Sequence, residues 1–399
     1  MKTRPDLVAD DWADLIVVWG TGPWDGHRLG AQSLAEALSR RGPVLYIDPP
    51  RSVVGVARAG VSGLREELSR SRLSLVSPSL ARLRVLVPPA HTRPGVRGLT
   101  RWSTARAVRA AVAELGGDVR AVISGHLNAD PFGVCGERWR IFRCSDDFDT
   151  GAELGVAVRR ASRVQASLAQ AADAIVCVSP VLVDQWRARG YDPYLVANGC
   201  DERLGDAATL PRPDDVRLVR PIVGYVGLLS SRIDVDLLWS IATAGHSLLL
   251  IGERRPDLDG AKFRTLLDLP SVQWIGHRSY GELAAYLGSI DVGIVPYRDS
   301  RFNRASFPLK LLEYLAAGIA PVSTDLPAVR WLNTELVRVG RDHAEFLGAI
   351  DESLSEIGDE KCRSARIEFA GLHSWSNRAA DHLEILDRLD ETRGPLVAR

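Results

Sequence analysis

Short apolar runs, each closed by glycine, proline or an acidic residue, recur along the chain and alternate with stretches whose apolar positions fall at helical spacing. The runs are LIVVW (15–19), VLYID (44–48), AVISG (121–125), AIVCVS (174–179), SLLLIG (247–252), VQWIGHR (272–278), DVGIVPY (291–297) and IAPVST (319–324). Helices are expected between them, one from about residue 29 to 41 and another ending near residue 172. This pattern predicts an α/β fold of two Rossmann-like domains with parallel sheets. The segment 204–220 lacks periodicity and is rich in Pro and Asp, so it reads as a linker between domains at 1–203 and 221–374. A last helical stretch occupies 375–399, and its end, ETRGPLVAR, reads as disordered.

The densest chemistry lies in FNRASFPLKLLEYLAAGIAPVSTD, residues 302–325. An apolar strand runs into a polar loop with Arg301, Asn303, Arg304 and Ser306, followed by a short helix that stops at Gly318. Ser306 is the expected N-cap, with Pro308 in the first turn. A strand–loop–helix junction of this kind lies where open α/β sheets bind ligands, and its helix N-terminus favours a phosphate. Lys310, one of four lysines beside forty-six arginines, is close enough to reach that phosphate. Glu313 follows one turn later and can accept the hydroxyls of a ribose. The plain alternative is a solvated Lys310–Glu313 pair on the outer helix face.

Elsewhere, strand ends present further candidates. Gly20 and Gly22 open the loop GTGPWDGHRLG, which lets a ligand approach the backbone and which carries Asp25, His27 and Arg28. Its spacing is not G-x-G-x-x-G, so a nicotinamide oxidoreductase is not indicated. His126, with Asn128 and Asp130 beyond it, ends the strand at 121–125. Asp146, Asp147 and Asp149 end another.

The stretch PLKLLEYLAAGIAPVSTD resembles the nucleotide-sugar signature of family 4 type glycosyltransferases of the GT-B fold, in the bacterial branch with a P-x-K-x-x-E-Y-L-A-A-G core. The resemblance implies two Rossmann-like domains facing across a cleft, the acceptor held by the first and the donor by the second, and a last helix crossing back onto the first. It implies that Glu313 binds the donor ribose and that Gly227, Arg232, Ser306, Lys310 and Leu311 hold the nucleotide and diphosphate. Asn303 and Arg304 would face the donor sugar. Where many members carry the first Glu of an E-x7-E pair, this chain has Ala305. The loop with Gly20 and Gly22 would serve acceptor or diphosphate, and His126 would contact the donor sugar. Arg232 and Lys310 would form a cationic clamp in place of a metal, so no cofactor or metal is expected and the D-x-D of Asp147 and Asp149 is not read as a metal site.

The implied reaction is transfer of a sugar from a nucleoside diphosphate sugar, UDP above all, to a hydroxyl acceptor, with retention, in cell-surface glycan, glycolipid or glycoside synthesis. Should the reaction invert, His27, Asp25 or Asp147 are candidates for the general base. Two rivals remain open: a sugar-nucleotide epimerase or hydrolase on a similar fold, and a non-catalytic partner subunit.

Composition narrows the setting. The 399 residues carry zero net charge, 46% hydrophobic and 25% charged residues. Five cysteines without C-x-x-C indicate neither a disulfide framework nor a zinc site. With no apolar leader at the N-terminus and no membrane-spanning run, a cytoplasmic protein is expected. Residues 51–109 hold twelve arginines against Glu66 and Glu67. Such a basic, amphipathic stretch is expected to meet an anionic membrane surface, peripherally at the inner face, or a lipid-linked acceptor. No nucleic-acid module accompanies the charge.

Overall fold

The structure, a computed structural model, describes residues 12–52, 72–88, 95–127, 130–147, 158–258 and 260–393. Arg58, Arg65, Asn128, Asp149 and the end of the tail lie outside the described residues.

The first half contains β1 (Leu15–Trp19), β2 (Val44–Ile47), β3 (Arg51–Ser52), β4 (Leu73–Ser77), β5 (Leu80–Leu83), β6 (Leu86–Val87), β7 (Val119–Ser124), β8 (Trp139–Cys144), β9 (Ala174–Cys177) and β10 (Tyr194–Leu195). Its helices are α1 (Gly30–Ser39), α2 (Arg97–Leu115), α3 (Val158–Ala171) and α4 (Pro180–Arg187). The main sheet has the order β10-β9-β8-β7-β1-β2-β5-β4. It is parallel except for β4, which pairs antiparallel with β5. Strand β1 pairs on both sides, Ile16 opposite Val44 and opposite Ala121. Both its faces are buried, which is why its sequence is a continuous apolar run.

The second half contains β11 (Ile222–Val226), β12 (Ser247–Ile251), β13 (Val272–Trp274), β14 (Val292–Val295), β15 (Ala320–Thr324) and β16 (Arg338–Gly340). They form one parallel sheet ordered β13-β12-β11-β14-β15-β16. The helices are α5 (Val235–Thr243), α6 (Gly260–Leu267), α7 (Tyr280–Leu287), α8 (Arg301–Ala305), α9 (Leu309–Ala316), α10 (Pro327–Leu332), α11 (His343–Leu354), α12 (Glu360–Gly371) and α13 (Trp375–Arg393). Tyr314 of α9 packs flat on β14, because a β-carbon at Gly293 would fall 2.4 Å from its ring.

Several local expectations change. Strand β13 ends at Trp274, since Gly276 turns into the left-handed region at φ +72°. Ser306 is not the cap of α9: Pro308 occupies that position without a side-chain cap, and Ser306 closes the short helix α8, which replaces part of the expected loop. Residues 202–209 form a 3-10 helix, where an irregular linker was expected from 204. The basic stretch 51–109 is not a single amphipathic surface segment, for it contributes β4 and β5 to the main sheet and the start of α2.

Helix α13 packs its Trp375, Ala379, Ile385 and Leu386 with Leu34, Ala35 and Leu38 of α1 in one buried cluster. Asp390 accepts from Trp139 Nε1 at 2.6 Å. The two places where the chain passes between the halves are bonded to each other. Cys200 N donates to His373 O and Trp375 N to Cys200 O, both at 3.0 Å.

Candidate active site

In each sheet the strand order reverses between two neighbours, β1 and β7 in the first, β11 and β14 in the second. Crevices at such points are where open α/β sheets take ligands. At the second, β11 is followed by Gly227 at φ +141°, a conformation that favours glycine. Its carbonyl would lie 1.9 Å from a β-carbon on Gly252, so the loops after β11 and β12 pass in close contact. A side chain on Gly227 would in turn meet Lys310 Cε at 3.0 Å.

Lys310 reaches out from the first turn of α9 and donates to Tyr297 Oη at 2.6 Å. Its ammonium lies 5.1 Å from the Tyr225 ring centre and 4.9 Å from that of Tyr297. Arg232 comes from the loop after β11 and covers the same tyrosine at 4.6 Å, and Phe302 at 4.9 Å. Its Nε donates to Asn303 Oδ1 at 2.8 Å and its Nη2 to Ser306 Oγ at 2.9 Å. The structure therefore brings Gly227, Arg232, Ser306 and Lys310 together, with Ser306 acting on Arg232.

Three residues expected at the ligand are placed otherwise. Asn303 is fully buried and donates to the carbonyls of Arg232 and Arg298, so it fixes the arginine loop instead of facing a sugar. Arg304 is exposed and pairs with Asp299 at 2.7 Å. Leu311 points into the core, and its amide is taken by Pro308 O at 3.2 Å. Ala305 is buried as well, and its carbonyl accepts from Ser179 Oγ of the first half at 2.5 Å.

Glu313 is half-buried and forms no ion pair with Lys310 among the described residues, which removes the solvated-pair reading. Burial, with Asp201 nearby, pushes its carboxyl up, against the pull of Lys310. Tyr280 lies close by, donates to Asp201 at 3.3 Å, and stacks under Arg28 at 5.1 Å.

On the first half, Asp25 is bound by Arg82 Nη1 at 2.6 Å, and the same guanidinium holds buried Asp48 at 2.7 Å. The Asp25 side chain nevertheless stays 65% exposed. Gly20 makes room for Tyr46, whose Oη would lie 2.1 Å from a β-carbon there and which donates to Gly22 O at 2.5 Å. Packing within the chain thus accounts for the glycine at 20. His27 reaches across to the second half, Nε2 to Glu253 Oε2 at 2.9 Å, with its ring edge-on to His277. His126 is buried, and burial lowers it to about 4, so its imidazole is neutral near pH 7. Asp147 is buried, accepts from Gln185 at 3.0 Å and lies 3.4 Å from Arg301.

Tyr297 emerges only from the structure, and Asp146, a strand-end candidate in the sequence, gains its partner there. Asp146 is half-buried at the end of β8, raised chiefly by burial and drawn back by Arg232 from the opposite half. Its place at a strand end beside Asp147 was a usable signal; Tyr297 read simply as the end of an apolar run. Chemically, the crevice offers two fixed cations and an uncapped helix N-terminus to a phosphate, with a carboxylate one turn beyond.

This architecture is the GT-B fold. Residues 220–356 match the family model described as glycosyl transferases group 1, a span that contains Gly227, Arg232, Lys310 and Glu313. A putative teichuronic acid biosynthesis glycosyltransferase of Bacillus subtilis, TuaH, is 32% identical over 218 residues, which are 52% of this chain and 55% of that protein. The match spans about half of that relative's length. Among solved structures, sucrose-phosphate synthase from Thermosynechococcus elongatus superposes with a TM-score of 0.68 at 17% identity, covering 95% of this chain and 100% of that one. Anabaena HepE, in complex with UDP and glucose, gives 0.63 at 13% identity, covering 94% and 99%. No helix among the described residues is long and apolar enough to cross a membrane.

Proposed function

We propose that the protein is a glycosyltransferase that moves a sugar from a nucleoside diphosphate sugar to a hydroxyl acceptor. The observation that carries this is the Arg232–Lys310 cradle at the β11/β14 crevice, with Glu313 one helical turn away. Breaking the bond between the anomeric carbon and the donor phosphate leaves negative charge on the diphosphate. Fixed cations and helix amides stabilise that charge without reorganising, so the clamp needs no metal. Glu313 takes the ribose hydroxyls. UDP is the proposed nucleotide, supported by the UDP named with the Anabaena structure. The match to TuaH, a putative teichuronic acid biosynthesis glycosyltransferase, supports the transferase reading; the proposed acceptor is a hydroxyl in cell-surface glycan synthesis.

The proposed stereochemistry is retention. The acceptor oxygen bonds to the anomeric carbon on the face the diphosphate leaves, and its proton passes to the departing phosphate oxygen. One observation favours inversion as a second reading: Asp146, raised by burial, is a carboxylate on the acceptor side that could accept the acceptor proton. Nucleoside diphosphate release from a panel of UDP, GDP, TDP and ADP sugars tests the reaction, and the anomeric configuration of the product by NMR separates the two routes. An epimerised nucleotide sugar as the product without acceptor would replace the transferase reading.

A further inference from the structure

The β1/β7 crevice of the first sheet holds a second polar site that the cradle does not use. A small cleft opens there between the sheet and α1, lined in part by Thr21, Ala31, Ser124, Gly125, Arg143 and Ser145. Its volume of about 10 Å³ suits one oxygen-sized group. What enters is therefore the end of a larger molecule, not a ring.

Arg143 is the unusual member. Its side chain belongs to a residue only 7% exposed. Nη2 donates to Asn198 Oδ1 at 2.7 Å, but Nε has no hydrogen-bond partner. Among the described residues no carboxylate stands within ion-pair distance, and Asp146 attracts it only from farther off. Burial lowers the guanidinium to about 10, which leaves it charged near pH 7. A buried charge without a counter-ion is strongly destabilising.

The start of α1 adds to the positive potential. Leu29, at the N-cap position, has no side-chain oxygen to offer, and Gln32 Oε1 serves only Leu29 N. The amides of the first turn carry the positive end of the helix dipole. A β-carbon on Gly30 would lie 3.4 Å from Arg143 Nη2, so helix start and guanidinium adjoin. Two positive groups converge on one cleft, and the carboxylate nearest to it, Asp146, whose Oδ2 accepts from Ser145 Oγ at 3.1 Å, stands beyond ion-pair distance of Arg143.

We propose that this cleft is an oxyanion site that receives a carboxylate or phosphate group carried by the acceptor. The donor diphosphate already has Lys310 and Arg232 on the opposite wall, which leaves this one for the other substrate. The identity of the ligand as the acceptor rests on the transferase reading; the anion site itself does not.

The test is calorimetric titration of the whole chain, with and without UDP, using inorganic phosphate, glucuronate and, as neutral control, glucose. Wild type is compared with Arg143→Lys and Arg143→Met. Phosphate and glucuronate should bind the UDP-loaded protein and glucose should not. Arg143→Met should weaken both anions at least about tenfold, the scale of a charged hydrogen bond, and leave UDP affinity unchanged; Arg143→Lys should fall between. If phosphate competes with UDP and Arg143→Met weakens UDP equally, the anion is the donor diphosphate and the acceptor assignment is overturned. Failure of both anions to bind overturns the site, while failure of UDP alone overturns only the donor cradle. Thermal unfolding guards against a misfolded variant: phosphate should raise the melting temperature of wild type and not that of Arg143→Met.

Discussion

Lys310 donates to the phenol oxygen of Tyr297 at 2.6 Å, and Arg232 lies over the same ring. Burial alone would raise that phenol, but Arg232 and Lys310 outweigh it and hold it at about 8. Tyr225 beside it goes upward through burial. A folded-state value below the ordinary phenol value of about 10 stabilises the fold above that pH, and the gain is lost as pH falls through Tyr297's own value. Over the same interval the phenolate cancels part of the positive charge of the cradle. UDP affinity is thus expected to fall as pH rises through about 8. Calorimetry across that range should show the step in wild type and lose it in Tyr297→Phe; identical profiles would refute the coupling.

Lys310→Ala should weaken UDP binding about tenfold to a hundredfold, the scale of a lost charged hydrogen bond, while leaving the melting temperature nearly unchanged. Unchanged affinity would remove Lys310 from the donor site.

Glu313→Gln separates binding from stability. Its carboxyl is raised by burial, so whatever stability it contributes is present below the ordinary glutamate value and lost as pH rises through the folded value. Above the folded value the ionised group costs stability. The Gln variant is expected to melt higher and to bind uridine more weakly, read by scanning calorimetry and titration. A lower melting temperature would contradict the account.

Arg82 bridges Asp25 and Asp48, and Asp48 is only 2% exposed. Arg82→Met strands that carboxylate and should cost about 3–5 kcal/mol in urea unfolding, as removal of one partner of a buried pair does. Adding Asp48→Asn should recover a large part of the loss. Equal destabilisation by the single and double variants would mean that packing, not charge, is at stake.

Helix α2 exposes Leu99 and Trp102, at 55% and 58%, with the Arg106 guanidinium 6.0 Å from the Trp102 ring. This helix face, with Arg106, is expected to bind phosphatidylglycerol vesicles. Binding measured by sedimentation should weaken with salt and in Trp102→Ser. Salt-insensitive or absent binding would remove the membrane contact.

Much of the fold was legible because the central strands are buried on both faces: β1, β12 and β14 announce themselves as apolar runs. Strands β4 and β5 were not, because Arg82 sits in mid-strand and its partner Asp48 is 34 residues away. Lys310 and Glu313 could be found from local spacing on one helix. Asn303 could not be placed that way: a polar residue in a polar loop reads as ligand-facing, and only its bonds to Arg232, 71 residues distant, turn it inward. Arg143 escaped notice for a related reason, since one arginine among forty-six gives no sign of being buried without a counter-ion.

The bonded crossings at Cys200 and Trp375 bear on how the cleft can open. Two bodies tethered at separate corners resist turning, whereas two tethered along one line swing like covers about the spine of a book. Groups beside that spine, such as Asn198 with the Phe307 carbonyl at 3.2 Å, then stay almost in place while the outer edges sweep through the largest arc. A hinge along that line would open the fore-edge while keeping the two halves in register.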